Sequence, residues 1–451
     1  MNVIIVGCGK VGSELASTLI SEGNSVAMID NSVKALNQVA EELDVLTIVG
    51  DGSDINILKE AGIEAANIFI AVTPHDEVNL LSCLIAKQVS NVETIARVRN
   101  PIYYREKDFL RKKFGISKII NPEQKTASNI YKLLCYPGLS RVDRLENGNV
   151  IIFTLHCRGE YGFAGNTLMD VRRHTKTKVL ACAVYRKGNV YIPDGSFLVE
   201  KDDEITFVTT GDDLSTFLKE HNIVNIPADD VLITGGGTIS YYLTEKLIDN
   251  GKNVRIIEMN EDRCEYLSEV FPKAEIIHGD GTDRRFLIKQ GLENAGAFVA
   301  LTGIDEENIV TANFAKDLAG IKVITKVNRN DLRDVIEQLD IDSAVFPKMI
   351  TADVIAQYVR AKASGAGSDL QAFFRYMDNR VEIVEFKARE GEPFMDTPLM
   401  KLELKKDLIL ACIIRNGKTI IPNGGDSIHD GDSVIVVTSH KGITSMADLG
   451  K

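Results

Sequence analysis

The sequence predicts an α/β chain built as two tandem repeats, each a doubly wound parallel sheet followed by a small α+β module. Three observations predict it. Asn2-Val-Ile-Ile-Val-Gly-Cys-Gly-Lys-Val-Gly12 reads as a buried strand turning through glycines into a helix that begins near Lys10. Strand and helix patterns then alternate as far as Val98, which is the pattern of parallel sheet covered on both faces. The same order returns at constant spacing in the second half, from Val231-Leu-Ile-Thr-Gly-Gly-Gly-Thr-Ile-Ser240 onward.

The opening stretch carries the spacing G-x-G-x-x-G at Gly7, Gly9 and Gly12, and Asp30 closes the next strand, Ser25-Val-Ala-Met-Ile. Each part has a task in a Rossmann-like nucleotide site. Gly7 permits the tight turn, Gly9 lets a pyrophosphate approach the backbone, and Gly12 lets the helix sit close to the strand. The helix N-terminus offers N–H groups and a positive dipole end to phosphates. Asp30 stands where a carboxylate accepts hydrogen bonds from a ribose diol. In the second copy Gly235 and Gly237 hold the first two places, Ser240 takes the third, and Glu258 is the acid after Asn253-Val-Arg-Ile-Ile.

After Asp30, Val33, Leu36, Val39 and Leu43 lie on one face of a helix. Val45 to Val49 is a strand ending in Gly50-Asp51-Gly52, Ile55 to Ala61 a helix, and Ile68 to Val72 a strand. Asp76 to Gln88 is helical and Thr94 to Val98 a strand. Ligands of such sheets bind beyond the carboxyl ends of the strands, which singles out Gly7 to Val11, Asp30, Asp51, Thr73 and Arg97 or Arg99. Asp51 reads equally well as a turn residue in Gly-Asp-Gly, and the arginines as a solvated strand end. Thr73 is followed by Pro74, which is read as starting a helix whose amine end faces the cleft. Arg105 to Lys113 and Pro122 to Leu134 are two further helices, broken at Tyr136-Pro137-Gly138.

From Asn149 the pattern becomes mostly strands: Val150 to Leu155, Val179 to Tyr185, Asn189 to Ile192 and Glu204 to Val208. A short helix spans Asn166 to Arg173, Arg186-Lys-Gly-Asn189 is a hairpin turn, and Leu214 to His221 is a closing helix. Asn225 to Asp229 is a linker. The second half supplies Gly279-Asp280-Gly281, a strand from Ala297 to Leu301 leading into Thr302, and Val323 to Val327 with Lys326 in the place of Arg97. Ala361 to Ser368 is a small-residue linker. Leu410 to Pro422 then repeats Leu180 to Pro193. The expected modules are 1–135, 141–224, 228–362 and 370–451.

Hydrophobic content of 44% and charged content of 26% are those of a soluble globular protein. No apolar run approaches the about 18 residues of a membrane helix, and a strand begins at once, so the expected location is the cytosol. A net charge of −12 argues against nucleic-acid binding and against adhesion to an anionic bilayer. It leaves docking onto a membrane protein open. The seven cysteines are scattered without C-x-x-C, so neither a disulfide framework nor a metal site is expected. Cys8 lies beside a helix N-terminus, where a thiol pKa can fall; a small residue suited to the turn is the simpler reading.

The four-module order resembles the TrkA family of regulatory subunits of Trk potassium transporters, which carry two tandem RCK (also called KTN) units. The resemblance covers essentially all 451 residues. It rests on Gly7-Cys-Gly-Lys-Val-Gly12 with Asp30, Gly50-Asp-Gly52, Ala71-Val-Thr-Pro-His-Asp-Glu77, Ala96-Arg-Val-Arg99, their second copies, and the two Ile-Pro signatures at Ile192-Pro193 and Ile421-Pro422. It implies a regulator that binds NAD(H), and in some members ATP or ADP. It further implies a homo-oligomeric ring, a tetramer of the tandem chain, on the cytosolic face of a Trk-type membrane pore subunit. By position the first site would comprise Gly7, Cys8, Gly9, Lys10, Val11, Asp30, Thr73 and Arg97. The second would comprise Gly235, Gly236, Gly237, Thr238, Ile239, Glu258, Thr302 and Lys326, with Asp280 in the place of Asp51.

The rival class is an NAD-dependent oxidoreductase, which needs an acid/base near the nicotinamide and a substrate domain. His75 is the only histidine near a strand end in the first repeat, and Thr302-Gly-Ile-Asp-Glu306 has none, so no catalytic residue is assigned. Asp30 and Glu258, followed by Asn31 and by Met259-Asn260 rather than arginine, predict exclusion of NADP. Ser240 in place of a third glycine predicts a displaced helix and a weaker second site. The apolar faces of the helices after Arg105 (Phe109, Leu110, Phe114, Ile130, Leu133, Leu134) have no further recognised strand to cover, which predicts an oligomer.

Overall fold

A computed structural model describes residues 1–145, 149–157, 161–223, 228–339, 341–363, 370–377 and 380–450. The chain divides into two compact bodies, one of Met1–Tyr131 with Asp229–Val359, the other of Lys132–Ala228 with Arg360–Lys451.

In the first body each glycine-loop module is a six-stranded parallel sheet. The first has β1 (Asn2–Val6), β2 (Ser25–Asp30), β3 (Leu46–Val49), β4 (Ile68–Ala71), β5 (Glu93–Arg97) and β6 (Lys118–Ile120), ordered β3-β2-β1-β4-β5-β6. The order reverses between β1 and β4, so the glycine loop after β1 opens at the switch point of the sheet, where such folds bind ligands. Along β1, Val3 and Ile5 join one core cluster, Ile4 and Val6 another. Both faces are therefore buried, which is why the strand reads as an unbroken apolar run. The next helix, Val33–Glu42, departs twice: Val33 is exposed and Leu43 lies beyond its end as an extended C-cap, while Leu36 and Val39 are buried.

β6 was not legible as a strand, because three residues show no periodicity. It changes the account of the helices beside it. The Arg105 to Lys113 segment is two helices, Pro101–Arg105 and Lys107–Phe114. Leu110 and Phe114 pack onto the module's own core, while Phe109 stays exposed. The oligomer expectation thus loses part of its footing, since β6 and its neighbours take up apolar surface that seemed unpartnered.

The second glycine-loop module repeats the topology. Before it, the first strand-rich module, in the other body, contributes β7 (Arg141–Arg144), β8 (Val150–His156), β9 (Val179–Arg186), β10 (Asn189–Tyr191) and β11 (Glu204–Thr210), an antiparallel sheet ordered β10-β9-β11-β8-β7. The parallel sheet of the second repeat is β12 (Asp230–Thr234), β13 (Asn253–Glu258), β14 (Glu275–His278), β15 (Ala297–Ala300), β16 (Lys322–Lys326) and β17 (Ser343–Val345), ordered β14-β13-β12-β15-β16-β17. β7 and β17 also went unread in the sequence. The second antiparallel sheet is β18 (Leu370–Tyr376), β19 (Val381–Lys387), β20 (Leu408–Arg415), β21 (Lys418–Ile420) and β22 (Ser433–Thr438), ordered β18-β19-β22-β20-β21. The two antiparallel sheets share a core that includes Ile152, Cys182, Val208, Ile383, Cys412 and Ile435.

The hairpin turn at Arg186 to Asn189 has positive φ at Lys187 (47°) and Gly188 (82°), and the second copy does the same at Asn416 (51°) and Gly417 (75°). Two successive left-handed residues match the twist of a two-residue hairpin. Of the two expected linkers, 225–227 and 364–368 lie outside the described residues. Residues 361–363 are not linker but the end of the helix Pro347–Ala363.

That helix binds the two glycine-loop modules together. Ile355, Ala356 and Val359 enter the core beneath β1 and β5 of the first module. Tyr358 Oη donates to Glu93 at 2.8 Å. Across the same body Arg105 donates to Tyr241 Oη at 2.8 Å and to Glu245 at 3.0 Å, and Asn121 Nδ2 to Tyr242 Oη at 2.8 Å.

Candidate functional site: two glycine loops in one body

The first loop forms as its residues dictate. Gly7 holds φ at +106°, a conformation L side chains rarely adopt, and its N–H continues the ladder to Ile29. Gly9 is the N-cap of the helix Lys10–Ser21 with no side-chain cap, and nothing lies within 4 Å of where its side chain would begin. The space beside Gly9 is open, and the opening N–H groups of that helix carry no side-chain cap, which suits the approach of a phosphate. The second loop repeats this at Gly235 (φ +91°) and at Gly237, the uncapped start of Thr238–Asp249.

Each acid serves its own loop. Asp30 accepts Cys8 N–H at 2.6 Å and Ser32 N–H at 2.8 Å. Glu258 accepts Gly236 N–H at 2.5 Å and Asn260 N–H at 2.8 Å. One backbone bond per carboxylate oxygen leaves lone pairs for a ribose diol, so the acids hold the turn and remain acceptors. Ser240 is fully buried at the matching place in the second loop. Its hydroxyl donates to the Gly235 carbonyl, making a contact where the first loop has only room for hydrogen.

Several expected residues are placed otherwise than the sequence suggested. Pro74 does not start the following helix; Asp76 does, with His75 exposed at the N-cap. Asp51 is exposed and accepts Ser53 N–H and Oγ, bonds that hold its carboxyl below the usual range, and Asp280 makes the same turn with Thr282. Both are turn residues. Cys8 is buried, and burial followed by the Asp30 charge pushes its thiol up, opposite to the fall that the helix end suggested. Thr73 donates its hydroxyl to Asn79 Oδ1 at 2.8 Å.

Arg97 is the largest revision. It is no free cation of the first loop: it bonds Glu123 at 2.9 Å with both side chains nearly buried. The pair lines a cavity of about 310 Å³ that also holds Val11 of the first loop, Gly237, Thr238, Ile239 and Ser240 of the second, and Lys326 and Lys348. Arg97 Nε and Glu123 Oε2 are buried there without partners. Burial pushes the Lys326 amine down, against the pull of Asp305 and Glu123. Burial and then the charge of Lys10 push Lys348 down. Cations from both modules thus converge on one uncapped helix start, an arrangement that suits a bound polyanion. Among the described residues no group of three or more histidine, cysteine or acidic side chains could hold a metal ion.

Two functional features escaped sequence reading. Asn79 is fully buried and ties the ends of two strands, accepting from Thr73 N–H and donating to the carbonyls of Thr73 and Arg97; Asn308 does the same with Thr302 and Lys326. Only its recurrence at the matching place in both helices hinted at a role. Arg263 is the other: its Nε donates to the Gly236 carbonyl at 2.6 Å, so a cation does stand at the second loop although none adjoins Glu258 in sequence.

Comparison with known proteins follows this geometry. The TrkA-N domain model matches residues 3–122 and 231–347, and the TrkA-C domain model matches 160–222 and 383–449. The chain belongs to the TrkA family. A relative from Halomonas elongata named Trk system potassium uptake protein TrkA is 30% identical over 446 residues, covering 98% of this chain and 96% of that one. TrkA homolog 1 of Methanosarcina mazei is 30% identical over 445 residues, covering 97% of each. The TrkA of Haemophilus influenzae is 29% identical over 445 residues, covering 98% of this chain and 96% of its own. Among solved structures, one titled GsuK channel bound to NAD aligns at TM-score 0.65 and 17% identity over 97% of this chain and 76% of that chain. The GsuK RCK domain aligns at TM-score 0.64 and 18% identity over 97% and 92%. These likenesses establish a shared fold for the tandem TrkA-N and TrkA-C modules. No helix among the described residues is long and apolar enough to cross a membrane.

Proposed function

We propose that this chain is the nucleotide-operated regulatory subunit of a Trk-type potassium uptake system. NAD(H), with ATP or ADP as a further ligand class, is the proposed ligand of the two glycine loops. The proposed working modules are 1–135, 141–224, 228–362 and 370–451. The observation that carries the reading is the shared cavity. Arg97 and Glu123 from the first module face the second loop's helix start, with Lys326 and Lys348 beside them. A ligand bound there touches both modules, so it favours one disposition of them over another, which is what a population shift requires. The names of the relatives supply the potassium-uptake context, and GsuK structures bound to NAD and to ADP are in keeping with the ligand class.

In this reading the chain acts in the cytoplasm as a homo-oligomeric ring, a tetramer, docked peripherally on the pore subunit at the inner face of the membrane. It is not an enzyme. His75, the histidine beside the strand ends of the first glycine-loop module, is an exposed N-cap residue, and Ile304 takes its place in the second. Calorimetry of the purified chain with NAD, NADH, ATP and ADP tests the reading. Binding of at least one, weakened by Lys326→Met, with no change in NADH absorbance beside candidate hydroxy-acid and keto-acid substrates, is expected. Absence of binding to all four, or turnover of NADH, would overturn it.

A further inference from the structure

The two loops differ in the residue that stands five places after their acid. The first module has Ala35, whose carbonyl accepts the Cys8 thiol at 3.4 Å. The second has Arg263, in the first turn of the helix Glu261–Val270, with its N–H held by Asn260 Oδ1 at 2.8 Å. Its Nε donates to the carbonyl of Gly236, the residue whose own N–H is held by Glu258. The guanidinium is thereby fixed to the same residue as the ribose acid. The ring of Tyr266 lies 4.8 Å from its Cζ. Arg263 is half-buried and has no carboxylate partner among the described residues. A planar cation, anchored through one nitrogen, backed by an aromatic ring and unpaired with any acid, is a stacking surface. A 2′-phosphate is disfavoured at the same place, because it would meet the Glu258 carboxylate.

We infer that Arg263 is a specificity-determining residue of the second site, its guanidinium stacking on the base of an adenine nucleotide whose ribose hydroxyls bond Glu258. The inference rests on the nucleotide reading above. The first site has no equivalent, since Ala35 offers neither plane nor charge. Base recognition is therefore concentrated in the second loop, and ADP, which lacks a nicotinamide half, suits it better than it suits the first.

The test uses the full chain carrying Asp30→Ala to weaken the first loop, compared with the same chain also carrying Arg263→Ala or Arg263→Lys. Calorimetry is run with ADP and with inorganic pyrophosphate, which has no base. Lysine can still donate to the Gly236 carbonyl but has no plane. ADP affinity should fall about tenfold in both variants while pyrophosphate affinity is unchanged, the scale of a desolvated cation–π contact. Equal losses for both ligands would mean that Arg263 only holds the loop, and full ADP affinity in either variant would remove the stack; either result overturns the inference. So would adenosine 2′,5′-bisphosphate binding more tightly than ADP in the parent and losing that advantage in the alanine variant. If the Asp30→Ala parent binds neither ADP nor pyrophosphate, the nucleotide reading of the second loop itself has failed, and this inference with it.

Discussion

At position 12 a methyl group would begin 1.9 Å from the Gly7 carbonyl oxygen, a distance no carbon can occupy. At the matching place in the second loop Ser240 lies fully buried and turns its hydroxyl onto the Gly235 carbonyl. The same backbone motif is thus solved once by removing a side chain and once by bonding it. Gly12→Ala should therefore move the first helix off its strand and weaken nucleotide binding at that loop by at least tenfold. Ser240→Gly should cost the second loop only one neutral hydrogen bond, about 0.5–1.5 kcal/mol. Titrating both variants with NADH checks the asymmetry; equal effects would show that the close approach at Gly7 is relieved without cost.

Between neighbouring strands, the element that matters is the helix Asp76–Val89, because Asn79 on it ties the carboxyl ends of β4 and β5. Its amide uses both its oxygen and its nitrogen on Thr73 and Arg97, and the Arg97 backbone so positioned carries the Glu123 pair into the shared cavity. Asn79→Ala removes these bonds and strands a buried N–H and carbonyls, each costing about 1–3 kcal/mol when left unsatisfied. We expect thermal unfolding to move down by several degrees and ligand affinity to fall with it. Unchanged melting would mean that water replaces the amide. Asn308 offers the internal comparison, since it makes the corresponding bonds in the second repeat.

For the molecule as a whole, the ring proposal places further demands on the surface. Ile102 and Phe109 in the first module, and Val310 in the second, are more than half exposed. Such residues are ordinary singly and mark an interface where they form a contiguous patch. Light scattering of the isolated chain at micromolar concentration should report a particle several times the 49.6 kDa of one chain. A particle of that single mass would contradict the ring.

The sequence by itself determined the strand–glycine–helix beginnings, the two acids, the duplication and the order of the modules. All of these are local: neighbouring residues set φ, periodicity and caps, and a repeat needs no fold to be seen. It left out the contacts that join residues far apart in the chain. Arg97, read as a cation of the first loop, lines a cavity bordered by residues of both loops, because the two modules pack together and place Glu123 and Lys326 beside it. β6 and β17 were silent for a different reason, being three-residue strands whose existence comes from pairing with β5 and β16 rather than from any pattern of their own. Arg263 reached its loop by a helical turn that carried it back across 27 residues to Gly236, a meeting only the tertiary structure could decide.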